Sequence, residues 1–422
     1  MGITTICGIN WGDEGKGRMV DYFASSADFV IRFQGGNNAG HTVMNEYGKF
    51  ALHLLPSGIF NKKAINILGN GTVVNPEALA KEIEEIEKVI GSIDNLLISD
   101  RCHIIFPFHI LLDEYEEERL KEKKFGSTKR GIAPVYSDKY LKVGILASDL
   151  LDKDYLYKRL KNNLEFKNQI IEKVYNKPKV DIDEMLEWGY SNGKKISRYI
   201  KDVIPIIHEA VYEDKKILLE GQLGALRDIE FGIYPYTTSS SPIPGYAPAG
   251  TSIPPYEIKR VIGVMKAYST CVGEGPFVTE IFSEKAEEIR KKGNEYGAAT
   301  GRPRRIGWFD AVASRFGCKI TGATEIAITL LDVLSGQESI KICDRYNING
   351  EVIDKFPTTR LLYDAKPEYI EMPGWDEDIS KVRNFFDLPK NAQKYILKIE
   401  ELIGVRIKYI SVGPVRDQLI KR

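Results

Sequence analysis
Residues Cys7 to Asp21 read C-G-I-N-W-G-D-E-G-K-G-R-M-V-D. An apolar run with β-branched residues, Ile3 to Ile9, precedes them, and Met19, Val20 and Phe23 behind them fall on one side of an expected helix. A buried strand that passes through a glycine-rich turn into a helix suits phosphate. Glycine lets the backbone come close to the ligand, and the first helical N–H groups point at the anion. Lys16 adds a mobile positive charge. Asp13 is the unusual member, because a carboxylate repels phosphate unless it holds a metal ion or takes a proton. The turn is P-loop-like without being a Walker A loop: Asn10 stands where that pattern needs its first glycine, and Gly17 where it needs a hydroxyl.

A second glycine-rich turn, Q-G-G-N-N-A-G-H-T from Gln34 to Thr42, follows another apolar segment, Phe29 to Phe33. Two such turns after two buried strands shift the reading from an ordinary connection to a ligand site. Lys+Arg and Asp+Glu balance at 59 each, so no global field draws nucleic acid or an anionic membrane, and any anion site is local. No apolar run approaches the ~20 residues that span a bilayer, and the N-terminus lacks the pattern of a secretory signal. The five cysteines are scattered, with no metal-ligand spacing towards the five histidines. Reduced thiols in a cytoplasmic protein are expected.

Further along, Ile65 to Leu68 reads as a strand, and Asn75-Pro76-Glu77 as a capped helix start with Leu79, Ile83, Ile86 and Ile90 on one face. Leu96–Ile98 and His103–Phe106 read as strands and Leu111–Lys123 as a charged helix. Phe125 to Asp138 is polar, basic and glycine-containing, the composition of a binding loop. Residues 148–213 form a helical excursion. Lys216–Glu220, Arg260–Tyr268 and Glu325–Val333 return as strands, a helix starts near Trp308, and Lys390–Ile403 is a last amphipathic helix before a strand at Val405–Ile410. Phe231 to Pro255 holds too many Gly, Pro, Ser and Thr to be regular for long. The expected class is α/β: a large, mostly parallel sheet with helices on both faces, P-loop-NTPase-like in its first turn, with long active-site loops. A single domain over residues 1–422 is expected.

W-G-D-E-G-K-G (11–17) and Q-G-G-N-N-A-G-H-T, followed in order by G-N-G (69–71), Y-P-Y-T-T-S-S (234–240), G-N-E-Y-G-A-A-T-G-R-P-R-R (293–305) and S-V-G-P (411–414), resemble adenylosuccinate synthetase over essentially the whole chain. The resemblance implies GTP-dependent ligation of IMP and L-aspartate, releasing GDP and phosphate, the first committed step from IMP to AMP. In that reaction a base removes the N1 proton of IMP, O6 takes the γ-phosphoryl group, and the aspartate amine displaces phosphate from C6. It implies Asp13 as base and Mg²⁺ ligand, His41 as acid, Lys16 as a phosphate contact, and Gly40 as the second ligand of one Mg²⁺ per subunit. Around IMP it places Asp13, Glu14, Gly15, Lys16, Asn38, Ala39, Gly40, His41, Thr128, Gln222, Leu223, Thr238 and Arg302. Around aspartate it places Val272, Ala298, Ala299, Thr300, Gly301, Arg302 and Arg304, whose guanidinium groups suit a dicarboxylate. Around GTP, used as co-substrate, it places Gly12 to Arg18, Gly40 to Thr42, Arg304, Leu330, Leu331, Asp332, Ser411, Val412 and Gly413. A cytoplasmic homodimer without nucleic-acid or membrane partners is implied.

Three positions depart from the family pattern. Leu330 replaces a lysine two residues before the guanine-reading acid, Asp332. Gln222 stands one residue early in E-G-Q-L-G, with Leu223 where the IMP-contacting glutamine belongs. Lys139-Tyr140-Leu141-Lys142 lacks the arginine that reaches the partner's IMP; a lysine there cannot make a bidentate fork. Two other readings stay open on the residues. In a nucleotide-gated switch, Asp13 and the missing N-K-x-D are out of place. In a phosphotransferase that stops at the phosphorylated purine, Arg302 and Arg304 have no task.

Overall fold
The computed structural model describes residues 2–297 and 301–422. Ten strands make its large sheet: β1 (Ile3–Gly8), β2 (Phe29–Arg32), β3 (Ile65–Leu68), β4 (Leu96–Ser99), β5 (Ile200–Lys201), β6 (Ile217–Gly224), β7 (Ile258–Lys266), β8 (Glu325–Thr329), β9 (Ile407–Ser411) and β10 (Leu419–Lys421). Their spatial order is β10-β9-β8-β7-β1-β6-β2-β3-β4-β5. Every neighbouring pair is parallel except β9 with β10.

Parallel strands covered on both faces need no polar alternation, which is why these read as continuous apolar runs. Their side chains part by parity. Phe29, Ile31, Ile217 and Leu219 pack with Ile207 and Ala210 of the helix Ile204–Tyr212. Val30, Leu218, Ile262 and Val264 pack on the other face with Met19 and Val20 of the helix Lys16–Ala24. The Asn75 side chain caps the helix Pro76–Ile90 by accepting from the Ala78 N–H at 3.0 Å, and Leu79, Ile83, Ile86 and Ile90 are buried. The helix Lys390–Ile403 and the excursion helices Lys153–Lys173, Ile182–Ile196 and Ile204–Tyr212 stand where the apolar periodicity puts them. Within the excursion, β5 adds an edge strand beside β4.

Some elements differ from the sequence reading. The stretch Phe125–Asp138 is not all loop, because a helix runs over Ile132–Leu141. Pro134 lies in its first turn, where the missing N–H breaks no helical bond. The strand expected over Glu325–Val333 ends at Thr329, since Leu330 turns left-handed (φ 58°) into a 3-10 turn, Leu331–Leu334. The helix expected from Trp308 begins at Ala311, capped by Asp310. A hairpin, His41–Asn45 with Gly48–Leu52, and a smaller sheet of Phe309–Asp310, Ser339–Ile348, Glu351–Ile353 and Ala365–Pro373 are additional. All five cysteines are buried and free. Among the described residues no helix is long and apolar enough to cross a membrane.

Candidate active site
Six consecutive strands in space, β9, β8, β7, β1, β6 and β2, run parallel and so end on one side of the sheet. The last residues of those strands, or the segments leaving them, carry Ser411, Asp332, Lys266, Asp13, Leu223 and Asn38 respectively. Crevices at the carboxyl ends of parallel strands are where open α/β sheets bind ligands.

After β1 the backbone turns through Gly12 (φ 106°), Asp13 (60°) and Gly15 (93°), all left-handed. Glycine meets no penalty there and aspartate tolerates it. Glu14 ties the turn from inside. Its Oε1 accepts from the N–H of Gly12 at 2.8 Å and of Asn10 at 3.2 Å, and its Oε2 pairs with Lys16 Nζ at 2.6 Å. Lys16 therefore spends one of its three donors on Glu14 and keeps two. The first turn (Asp13, Gly15, Lys16, Gly17), the second (Asn38, Ala39, Gly40, His41, Thr42), Leu223 and Arg304 line one cavity of about 150 Å³.

His41 opens the hairpin, and its Nδ1 lies 2.5 Å from Glu220 Oε1. Glu220 is fully buried in β6 and also accepts from Ser57 Oγ (2.6 Å) and the Ser57 N–H (2.8 Å). A carboxylate on Nδ1 selects the Nδ1–H tautomer, leaving Nε2 of this cavity residue buried without a partner. Burial holds the His41 pKa below its ordinary value, against the hydrogen bond and charge of Glu220. Asp13 faces Arg304, with Oδ2 2.9 Å from Nε but without hydrogen-bond alignment. Burial works to raise the Asp13 pKa, and the charges of Arg304, Lys266, Lys16 and His41 outweigh it and hold the group below its usual range. Arg304 is anchored behind by Glu295, at 2.5 Å from Nη1.

Gln222 is turned inward. Its Oε1 accepts from Arg32 and its Nε2 donates to Asn38 Oδ1 at 3.1 Å, filling space that a side chain at Gly35 would occupy. Leu223, also left-handed at φ 60°, is the residue that reaches the cavity. Thr238 joins the same ground indirectly, through Ser240 Oγ at 3.4 Å and from Ser240 to Gln34 at 3.0 Å. Thr128, Val272 and Arg302 are exposed and do not line the cavity. Ala298, Ala299 and Thr300 lie outside the described residues, and Gly301 follows with φ 64°. At the far side, Arg18 donates to Ser411 Oγ, to the Val415 carbonyl (2.6 Å) and to the Gln418 carbonyl (3.0 Å). Asp332 carries a buried Oδ1 with no partner, and burial raises its pKa against the nearby Arg18 and Lys292. An unpaired buried carboxylate oxygen is costly unless a ligand donor meets it.

The comparisons with known proteins give the family. The family model described as adenylosuccinate synthetase matches residues 5–420. The chain belongs to the adenylosuccinate synthetase family. It is 46% identical to the adenylosuccinate synthetase of Streptococcus gordonii over 414 residues, 98% of this chain and 96% of that one. The structure of fully ligated adenylosuccinate synthetase from Plasmodium falciparum superposes with a TM-score of 0.94 at 38% identity, covering all of both chains. Cyanophage S-2L succinoaminodeoxyadenylate synthetase, at 18% identity and a TM-score of 0.62 over all of this chain and 95% of that one, shares the fold alone.

Within this adenylosuccinate synthetase family member, sequence reasoning missed Glu220, Lys266 and Glu295. Two of them had a readable signal: Glu220 ends the apolar run I-L-L-E and Lys266 ends V-I-G-V-M-K. A charge that ends an apolar run in a buried parallel strand is expensive in the core and lies towards the ligand-binding edge of the sheet.

Proposed function
We propose that the cavity between the two glycine-rich turns is where this enzyme performs the GTP-dependent ligation of IMP and L-aspartate to adenylosuccinate, with release of GDP and phosphate. Family membership carries the overall reaction. The observation that supports the placement is the convergence of the Asp13 carboxylate, the unpartnered His41 Nε2 and Arg304 on one cavity.

Asp13, kept ionised by its cationic neighbours, takes the N1 proton of IMP, so that O6 gains the electron density to attack phosphorus. His41, steadied by Glu220, donates from Nε2 to the transferring phosphoryl group. An imidazole between a carboxylate and an incoming polyphosphate gains a proton it does not hold in the empty site. Lys16 and the amides opening the helix Lys16–Ala24 neutralise phosphate charge. Phosphoryl transfer needs this positioning more than covalent help. Arg304 then exchanges its contact with Asp13 for the carboxylate of aspartate, and with the 301–304 segment orients the amine towards C6. At about 150 Å³ the cavity is smaller than pockets that hold a nucleotide, so the Arg304–Asp13 contact opens as substrates enter.

Mg²⁺ fits the donors present. Asp13 and Gly40 bring a carboxylate and a backbone segment to the same cavity, and among the described residues no three acidic, His or Cys side chains cluster as a cage. That set suits an ion that takes one carboxylate and completes its shell with phosphate oxygens. When bound, Mg²⁺ would supply charge neutralisation to the β- and γ-phosphates. Guanine would be read by the unpaired Asp332 Oδ1, with Leu330 against the ring and Ser411–Gly413 opposite. We read residues 1–422 as one domain, because the sheet takes strands from Ile3 to Lys421. We also place the enzyme in the cytoplasm as a homodimer, with Lys142 serving the partner's IMP. The decisive experiment uses IMP labelled with ¹⁸O at position 6, GTP and Mg²⁺, with and without aspartate. Label is expected in inorganic phosphate only with aspartate; unlabelled phosphate throughout would refute the reading.

A further inference from the structure
We propose that Glu295 is a positioning residue for the ligation: its buried carboxylate holds one end of the Arg304 guanidinium, so that the other end faces Asp13. The inference rests on the reading of Arg304 as an aspartate contact given above.

Glu295 is fully buried, and its oxygens have no capacity left for substrate. Oε1 accepts from Lys266 Nζ at 2.7 Å and Tyr268 OH at 2.6 Å; Oε2 accepts from Lys266 Nζ at 2.8 Å and Arg304 Nη1 at 2.5 Å. Two bonds on each oxygen exhaust the useful lone pairs of a carboxylate. Its main chain is engaged as well, since the Arg304 N–H donates to the Glu295 carbonyl at 3.0 Å. Glu295 and Arg304 are thus bonded through both backbone and side chain across the base of the loop, beside the bridge of Tyr296 with Pro303. Lys266 closes β7, so the clamp is fixed to the central sheet.

The charges explain the direction of movement. Two cations, Lys266 and Arg304, flank the single buried carboxylate, and the excess positive charge falls on the side of Asp13. Arg304 therefore lies between an immobile carboxylate and one on a turn. The aligned, part-buried bond to Glu295 is the stronger contact, and the unaligned one to Asp13 is the one an incoming dicarboxylate displaces.

The test is Glu295→Gln in the full-length enzyme, with KM measured separately for aspartate, IMP and GTP. Loss of the anchor is expected to raise the aspartate KM about tenfold or more, with the IMP KM within about twofold. A purely structural role would lower thermal stability and the active fraction without splitting the KM values. Lys266→Met combined with Glu295→Gln removes both charges and protects against a misfolded single variant. Under the proposal its aspartate KM stays raised. An aspartate KM restored in the double variant, or unchanged in a folded Glu295→Gln, overturns it. Arg304→Leu separates the levels: an unchanged aspartate KM there overturns the reading of Arg304 and the clamp with it, whereas a raised one supports the reading and leaves the Glu295 variants to judge the clamp.

Discussion
The role proposed for His41, neutral in the empty site and charged beside phosphate, asks for a partner tuned between two extremes. Glu220 has that position: fully buried, accepting from Ser57 twice and facing His41 Nδ1. Burial alone would raise its pKa, but His41, Arg32 and Ser57 outweigh burial and hold it low, so the group stays a carboxylate. Its negative charge raises the affinity of His41 for a proton, opposing the desolvation that lowers it. Glu220→Gln removes the opposing influence, so His41 loses its proton at lower pH. In a kcat profile over about pH 6 to 9, the alkaline limb should move to lower pH, with the plateau reduced about 10- to 100-fold. An unmoved limb would mean that His41 is not the group titrating there. Little of this pair could be read beforehand. His41 stands in a conspicuous glycine-rich turn, but its partner is 179 residues away, and a contact between a separate hairpin and a strand of the large sheet leaves no local pattern.

Elements bounded by local chemistry were legible, and elements bounded by tertiary contact were not. Asn75-Pro76 marks a helix start because cap and first-turn proline act within four residues, and Lys390–Ile403 follows from its own apolar stripe. Leu330, by contrast, takes a left-handed conformation that its side chain disfavours, and β8 ends just before it at Thr329, four residues short of the expected end at Val333. The helix Ala311–Thr321 shows a cap with an energetic side. Asp310 accepts from the Ala313 N–H at 2.9 Å and from Tyr346 OH at 2.6 Å, and burial pushes its pKa up to about 6. A folded-state pKa above the unfolded one means the native state binds the proton more tightly. Stability from this group is therefore full below the unfolded pKa, near 4, and is lost as pH rises to about 6, where the difference reaches roughly 3 kcal/mol. Asp310→Asn keeps an acceptor for the cap and has no proton to lose. Its melting temperature relative to the native enzyme should improve by several degrees between about pH 4.5 and pH 7.5. A pH-independent difference would show that Asp310 is already as acidic in the fold as in the open chain.

At the scale of the molecule, six parallel strand ends gather turns that lie as far apart in sequence as Asp13 and Ser411, and the site is wholly a product of that topology. The helix Ile132–Leu141 extends it outward. Tyr136 accepts from the Gly35 N–H at 2.9 Å and donates to the Gly71 carbonyl at 2.8 Å, so this helix braces the second glycine-rich turn. At its other end Tyr140 and Leu141 are 70% and 56% exposed, and Lys142 follows in an exposed left-handed turn. Apolar side chains beside a cation, at the end of an element tied to the cavity, suit contact with a second copy of the chain. Leu141→Asp should then shift the particle from dimer to monomer in analytical ultracentrifugation and raise the IMP KM. A mixing experiment asks whether the site is shared. Chains carrying Asp13→Asn and chains carrying Lys142→Ala are unfolded together and refolded at equal concentration. Random pairing makes about half the dimers hybrid. In each hybrid, one site combines the intact Asp13 of one chain with the intact Lys142 of the other. Activity at low IMP should therefore return to about one quarter of the native value. If Lys142 serves its own chain, every site carries a defect and the mixture stays at the mean of the two variants.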